Sequence, residues 1–94
     1  MNFLHYPVGW AHAGDLVRIT LSQQANVHLV DNSNFKRYRR GQKFRGVGGR
    51  QTVSPAELAV PRSGHWHVVV DRGAAGGRVR AAVELLRGNA GVRR

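Results

Sequence analysis

The stretch HWHVVVD, residues 65–71, decides the fold class. Its large apolar side chains alternate with histidines at a period of two, which places Trp66, Val68 and Val70 on one face of an extended chain. Aromatic and β-branched residues are also the ones that strands favour. The sequence therefore predicts a β-strand at the centre of a sheet, with Trp66 in the core.

Two earlier segments show the same alternation. In residues 15–22, DLVRITLS, the side chains of Val17, Ile19 and Leu21 share one face. Residues 25–30, ANVHLV, repeat the pattern with the histidine on the outward side. Only a short polar turn separates the two segments, so the sequence predicts a hairpin of neighbouring strands.

Residues 78–86, RVRAAVELL, alternate as well. A helix is the alternative, because Ala, Glu, Leu and Arg are all good helix formers. The glycine-rich turn at residues 72–77, directly after the predicted central strand, favours a strand. In residues 51–60, Pro55 cannot donate to a ladder, which predicts an edge strand, a break or a bulge.

Residues 31–50, DNSNFKRYRRGQKFRGVGGR, interrupt the pattern. Turn-forming residues lie at both ends of this segment, and no periodicity is sustained between them. The sequence predicts a long loop excursion with one short strand near residues 43–45.

About six to eight short strands separated by turns predict an all-β fold, a two-sheet antiparallel β-sandwich of jelly-roll type. A chain of 94 residues provides for one core, so we expect a single domain over residues 1–87 and a flexible basic tail over 88–94. There is no cysteine, and the start has neither a basic leader nor a long apolar run. We therefore expect a cytoplasmic protein without a membrane span.

The charge balance points to a class of partner. Fifteen lysines and arginines against five acidic residues give a net charge of +10. This density favours contact with polyanions such as nucleic acid, acidic proteins or anionic lipid surfaces. Arginine-rich codon usage or a requirement for solubility would produce the same balance.

The basic residues concentrate in the excursion, where Phe35, Tyr38 and Phe44 are interleaved with them. Lysine and arginine release counterions from phosphates, and exposed rings stack on bases. The alternative is that the three rings turn inward and the arginines form a solvated rim. The predicted polyanion-binding residues, which include two arginines of the last strand, are Lys36, Arg37, Tyr38, Arg39, Arg40, Lys43, Arg45, Arg50, Arg78 and Arg80.

Other chemistry has weaker support. His65 and His67 point the same way on a strand, an arrangement that zinc sites use, but no spacing singles out a third ligand. The serines lie in polar turns outside any nucleophile motif, and no paired carboxylates are evident. We therefore expect no metal, no cofactor and no enzymatic activity. Trp10, near Pro7, is a candidate surface aromatic residue.

Four segments together resemble the bacterial Domain of Unknown Function 1883 family. They are NFLHY (2–6), LSQQANVHLVDNSNFKRYRRG (21–41), VPRSGHWHVVVD (60–71) and GGRVRAAVELL (76–86). The resemblance covers residues 2–86 and implies a small β-sandwich. Some relatives carry this domain fused to a Toll/interleukin-1 receptor (TIR) domain, which implies an accessory or sensing module in bacterial defence-type proteins. The strand pattern is also similar, more loosely, to carbohydrate- or protein-binding jelly-roll modules of the pre-peptidase C-terminal type.

These observations predict a non-catalytic binding module that docks an anionic macromolecule, a protein or a nucleic acid, through residues 35–50 and the neighbouring arginines. One alternative is a nucleic-acid-binding protein without sequence preference, in which the same arginines contact phosphates. Another is a metal-dependent enzyme built on His65 and His67. An exposed edge strand would also allow a second copy to pair, so a homo-oligomer is a further prediction.

Overall fold

The computed structural model describes residues 2–88, and this part of the chain forms two antiparallel sheets and one α-helix. The elements are β1 (Leu4–Ala11), β2 (Leu16–Leu21), β3 (Ala25–Asp31), α1 (Asn32–Arg39), β4 (Val47–Gln51), β5 (Ala56–Ala59), β6 (Gly64–Asp71) and β7 (Ala81–Leu86). The larger sheet has the order β1-β6-β3-β4, and the smaller sheet has the order β5-β2-β7. The predicted two-sheet antiparallel β-sandwich is therefore confirmed.

The main core lies between the two sheets. The alternating residues of β2 contribute Val17 and Ile19 from the smaller sheet, and both are completely buried. In the larger sheet, β6 pairs with β1 on one side and with β3 on the other, so it is a central strand as predicted. Trp66 is 3% exposed and belongs to this core, together with Val68 and Val70.

The predicted hairpin of β2 and β3 is wrong. β2 pairs with β5 and β7, whereas β3 pairs with β4 and β6, so the turn between them carries the chain from one sheet to the other. Two strands that face each other across a sandwich bury one side each, as do two strands of a hairpin. The alternation therefore identifies the buried side of each strand but does not determine which strand it pairs with.

The predicted excursion contains α1, and no strand forms near residues 43–45, which lie in the connection from α1 to β4. The helix begins after Asp31, whose carboxylate accepts a hydrogen bond from the backbone N–H of Asn34 at 2.9 Å. Phe35 and Tyr38, three residues apart, form the buried side of the helix. The prediction of a loop was wrong because residues that favour turns also favour helix N-caps.

A second, smaller core lies between α1 and the outer face of the larger sheet. Its members are Val30, Phe35, Tyr38 and Val69, with Phe3 and Phe44 packed against them. Phe35 is 8% exposed and Tyr38 is 3% exposed, so neither ring offers a free face to an unstacked base. The inward orientation, considered above as the alternative, is the one observed for both rings. We therefore remove Tyr38 from the predicted binding residues.

Two further segments agree with the sequence, whereas β1 was not predicted, β4 lies mostly in the predicted excursion, and Arg78 and Arg80 precede the last strand. β5 follows Pro55 directly and lies at an edge of the smaller sheet. The segment for which a helix was the alternative is a strand from Ala81 onward and pairs along its whole length with β2. Gly88, the first residue of the predicted tail, donates its N–H to Asp15 Oδ1 at 2.8 Å. Residues 89–94 of that tail lie outside the described residues.

Candidate functional site

All five acidic side chains are engaged within the fold. Four of them form ion pairs, namely Asp15 with Arg87, Asp31 with Arg62, and both Glu57 and Glu84 with Arg18. The fifth, Asp71, is held by hydrogen bonds from uncharged donors. Apart from these three arginines, and from Arg93 and Arg94, which lie outside the described residues, the ten other cations have no carboxylate within 4.0 Å in the described part of the chain.

Six of these ten cations lie on α1 and on the connection that follows it. They are Lys36, Arg37, Arg39, Arg40, Lys43 and Arg45, all exposed, and we call them the helix surface. Because Phe35 and Tyr38 occupy the buried side of α1, the basic residues between them face outward. The sequence-predicted cations of this segment are therefore brought together on one surface.

An open groove divides the helix surface. It has a volume of about 680 Å³, and Arg37, Lys43 and Arg45 line it together with the half-buried ring of Phe44. The backbone N–H of Arg45 donates to Asn34 Oδ1 at 2.7 Å, which holds the connection beside the start of the helix. Three cations and one aromatic ring thus border a single groove.

Arg50 lies elsewhere, on β4. It borders a polar pocket of about 230 Å³ at the end of the larger sheet, which we call the end pocket and which is lined by Gln24, Ala25, Asn26, Arg50, Arg72, Gly73 and Ala74. The guanidinium of Arg50 donates to Gln24 Oε1 at 3.1 Å. The Nη1 atom of Arg72 is buried and has no hydrogen-bond partner among the described residues.

The sequence analysis did not select Arg72, whose only local signal is its place in the glycine-rich turn after β6. Arg78 and Arg80 border a cleft that Arg72 also lines. These two arginines therefore adjoin the end pocket through Arg72. The predicted cations consequently fall into two groups, one on the helix surface and one around Arg72.

Asp71 joins the end pocket to α1. Its Oδ1 atom accepts hydrogen bonds from Asn26 Nδ2 at 3.0 Å and from the N–H of Gly73 at 2.8 Å, and its Oδ2 atom accepts one from the Tyr38 hydroxyl at 2.5 Å. Burial by itself would raise the pKa of Asp71, but these three bonds outweigh it and hold the pKa below its ordinary value. Asp71 therefore remains a carboxylate and anchors both α1 and two walls of the pocket.

The two histidines of the H-x-H pair do not converge on one site. His67 lies under α1, where its Nδ1 is 2.9 Å from Nε2 of His5, and the ring of Phe35 stacks on both imidazoles. His65 lies beside Trp10 instead, with ring centroids 5.2 Å apart. Within residues 2–88, no three His, Asp or Glu side chains are grouped so that they could hold a metal ion.

Partial burial lowers the pKa of two half-buried histidines, His28 and His67. It lowers the pKa of His67 below its ordinary value, and the neighbouring His5 adds to the effect. It also lowers the pKa of His28, which lies next to Tyr38 and Phe44 under α1. The neutral form of both imidazoles is therefore favoured, and both rings contact aromatic residues of the small core.

The serine hydroxyls take part in turns and helix starts. Three of them accept backbone N–H groups, namely Ser22 from Arg80, Ser54 from Leu21 and Ser63 from Ala13. The fourth, Ser33, donates to the capping carboxylate of Asp31.

Trp10 is half exposed, as expected of a surface aromatic residue.

Comparison with protein families identifies the family of this chain. The model of a family described as "Domain of unknown function (DUF1883)" matches residues 1–89. No curated protein and no solved structure matches the chain. In the part of the chain that is described, no helix is long and apolar enough to cross a membrane.

Proposed function

We propose that this chain, which belongs to the family described as a domain of unknown function, DUF1883, is a non-catalytic binding module that docks an anionic macromolecule through the helix surface. The family description assigns no activity. The proposed contact residues are the six exposed cations of that surface, and Arg50, Arg78 and Arg80 form a second, separate group.

The observation that carries this proposal is the distribution of charge. All five acidic side chains are engaged within the fold, and ten cations remain without a carboxylate partner in the described part. Six of these ten lie on one helix and its connection, so their fields add over a single surface. A polyanion that covers this surface releases its condensed counterions, which provides a favourable free energy of binding.

The small core keeps this surface in place. Phe35 and Tyr38 dock α1 on the larger sheet, and the Tyr38 hydroxyl is bonded to Asp71. The backbone that carries the cations is thus fixed before a partner arrives, which lowers the entropy lost on binding.

A nucleic acid bound without sequence preference is the second candidate. The specific observation in its favour is Phe44, a half-buried ring that borders the groove together with Arg37, Lys43 and Arg45. A base that enters the groove would contact this ring while the cations contact the adjoining phosphates. Of the three rings for which base stacking was predicted, only Phe44 is exposed enough to contact a base, because Phe35 and Tyr38 are buried.

Several finer points belong to the same proposal. The serine hydroxyls and the carboxylates have structural partners, which supports a binding role over a catalytic one. We place the module in the cytoplasm, which the cysteine-free composition favours. A TIR-associated system and a second copy of this chain are the further partners we propose, and co-purification and light scattering would test them.

The test is fluorescence anisotropy of labelled single-stranded DNA, duplex DNA and polyglutamate, each measured from low to physiological salt. In the variant Arg37→Gln/Arg40→Gln, the slope of log affinity against log salt should become shallower by about 1.4 to 1.8, the contribution of two phosphate contacts. Glutamine is a good helix former, so α1 should persist. The matched control, Val53→Glu/Ala59→Glu, lowers the net charge by the same amount at two exposed positions away from α1.

The control should bind within about twofold of the parent protein. Equal weakening by both pairs would show that net charge, and not the helix surface, determines binding. If none of the three probes binds at physiological salt, the proposal is wrong. Binding of DNA in preference to polyglutamate would select the second candidate.

A further inference from the structure

We infer that the end pocket binds a single phosphate group, either free phosphate or a small phosphomonoester, between Arg50 and Arg72. This site is distinct from the helix surface and takes a small discrete anion. The inference therefore goes beyond the proposed docking function and does not rest on it.

The first argument is uncompensated charge. Arg50 and Arg72 border the same pocket, and neither has a carboxylate partner among the described residues. Asp71 is adjacent to Arg72 in the chain, yet its oxygens are taken by Asn26, Gly73 and Tyr38. Two cations thus share a pocket, and the carboxylate next to Arg72 in the chain is engaged by other donors.

The second argument is the buried Nη1 atom of Arg72. Native proteins leave few buried donors without an acceptor, because such a donor loses its bond to water and gains nothing in return. Arg72 also borders the cleft toward Arg78 and Arg80, but Phe3, Leu4 and Val79 give that cleft apolar walls. The end pocket is mainly polar, with the side-chain amides of Gln24 and Asn26 beside the guanidinium groups, so it is where an oxyanion would supply the missing acceptor.

Charge and size select phosphate. The planar guanidinium fork matches phosphate and carboxylate oxygens in bidentate geometry. Two guanidinium groups match the charge of a phosphate dianion, whereas a carboxylate would neutralise only one of them. The volume of about 230 Å³ is below the range of ordinary drug-sized sites, which indicates a ligand of few atoms.

The walls of the pocket are held in place without a ligand. Asp71 fixes Asn26 on β3 and Gly73 in the turn after β6, while Gln24 accepts a hydrogen bond from Arg50. A ligand would therefore find the site largely formed, so little ordering would oppose binding.

The test measures the thermal unfolding midpoint of the full chain as phosphate replaces chloride at constant ionic strength. We expect the midpoint to rise with the logarithm of the phosphate concentration once this exceeds the Kd, since a ligand that binds only the folded state stabilises it by RT ln(1 + [L]/Kd). Arg72→Gln and, separately, Arg50→Gln should each weaken the apparent affinity about ten- to a hundredfold, the usual effect of losing a bond to a charged group. The matched control Arg37→Gln removes one exposed arginine from the helix surface and should leave the affinity within about twofold.

Two further anions, glycerol 3-phosphate and acetate, test whether the ligand is a phosphomonoester, free phosphate or any small anion. A stronger response to glycerol 3-phosphate than to inorganic phosphate would identify a monoester, and the reverse order would identify free phosphate. Acetate at the same ionic strength should leave the midpoint unchanged. The inference is overturned if neither phosphate compound raises the midpoint of the parent protein, if acetate acts equally, or if Arg37→Gln weakens binding as much as Arg72→Gln. The DNA-binding test changes residues of the helix surface and not of the end pocket. A failure to bind DNA would therefore not affect the conclusion about phosphate.

Discussion

The substitution Tyr38→Phe tests how α1 is fastened to the larger sheet. It removes one oxygen and leaves the ring, so the edge-to-face contacts with Phe3 and Phe44, at centroid distances of 5.0 and 5.1 Å, are retained. What it deletes is the 2.5 Å hydrogen bond to Oδ2 of Asp71. Burial and the nearby Asp71 carboxylate raise the pKa of the Tyr38 hydroxyl far above its ordinary value, so this group is a proton donor at neutral pH.

The expected loss follows from the state of Asp71 in the variant. This carboxylate is buried, 8% exposed, and would keep Asn26 and Gly73 as donors while Oδ2 loses its partner. A bond to a charged group contributes about 1.5–3 kcal/mol, and an unsatisfied buried acceptor costs a similar amount. We expect the free energy of unfolding to fall by about 2 kcal/mol, which lowers the melting midpoint of a domain of this size by about 8–16 °C.

The assay is urea unfolding with a matched control. In Tyr6→Phe the deleted bond is the neutral one from the hydroxyl to the carbonyl oxygen of Ala81, at 3.1 Å, and its loss should cost about 0.5–1.5 kcal/mol. The denaturant slope should be the same for both variants, since neither changes the area buried. The reasoning is refuted if Tyr38→Phe costs less than about 0.5 kcal/mol, or less than Tyr6→Phe.

Two other predictions concern stability. Burial lowers the pKa of His28 and His67 below 6.5, so the unfolded chain binds more protons than the folded chain in mild acid. The free energy of unfolding should therefore keep its full value above pH 6.5 and fall below it, by at most about 1.4 kcal/mol per pH unit for each histidine. Urea unfolding at pH 5–7.5 measures this fall, which should be shallower in His28→Gln, and a flat profile would contradict it. Gly48→Ala should destabilise by about 1–3 kcal/mol, because φ is +120° and a Cβ there would collide with the carbonyl of Val27. The control Gly49→Ala, at φ +140° with open space around it, should cost less, and equal losses would exclude the collision as the cause.

The sequence predicted the strands better than their partners. The period of two in β2, β3, β6 and β7 correctly identified the residues that face the core, because that alternation records which side of each strand is buried. It could not distinguish a hairpin from two strands in facing sheets. Both arrangements bury the same residues.

The helix was missed although signals for it exist. Asp31 is a good N-cap residue, Phe35 and Tyr38 have helical spacing, and Gly41 follows the helical segment. A helix of eight residues is unstable on its own, so its formation depends on docking to the sheet. That docking uses Asp71, which is 33 residues from Tyr38 in the chain.

The candidate sites divide in the same way. The sequence by itself identified the cations of the helix surface, because Lys36 to Arg45 are close in the chain. Only the tertiary structure decided that Arg50 and Arg72 border one pocket, since strand pairing aligns Asn26 with both Arg50 and Asp71. Local pattern reports the burial and charge of neighbouring residues, whereas a pocket of this kind depends on strand register, which contacts distant in sequence establish.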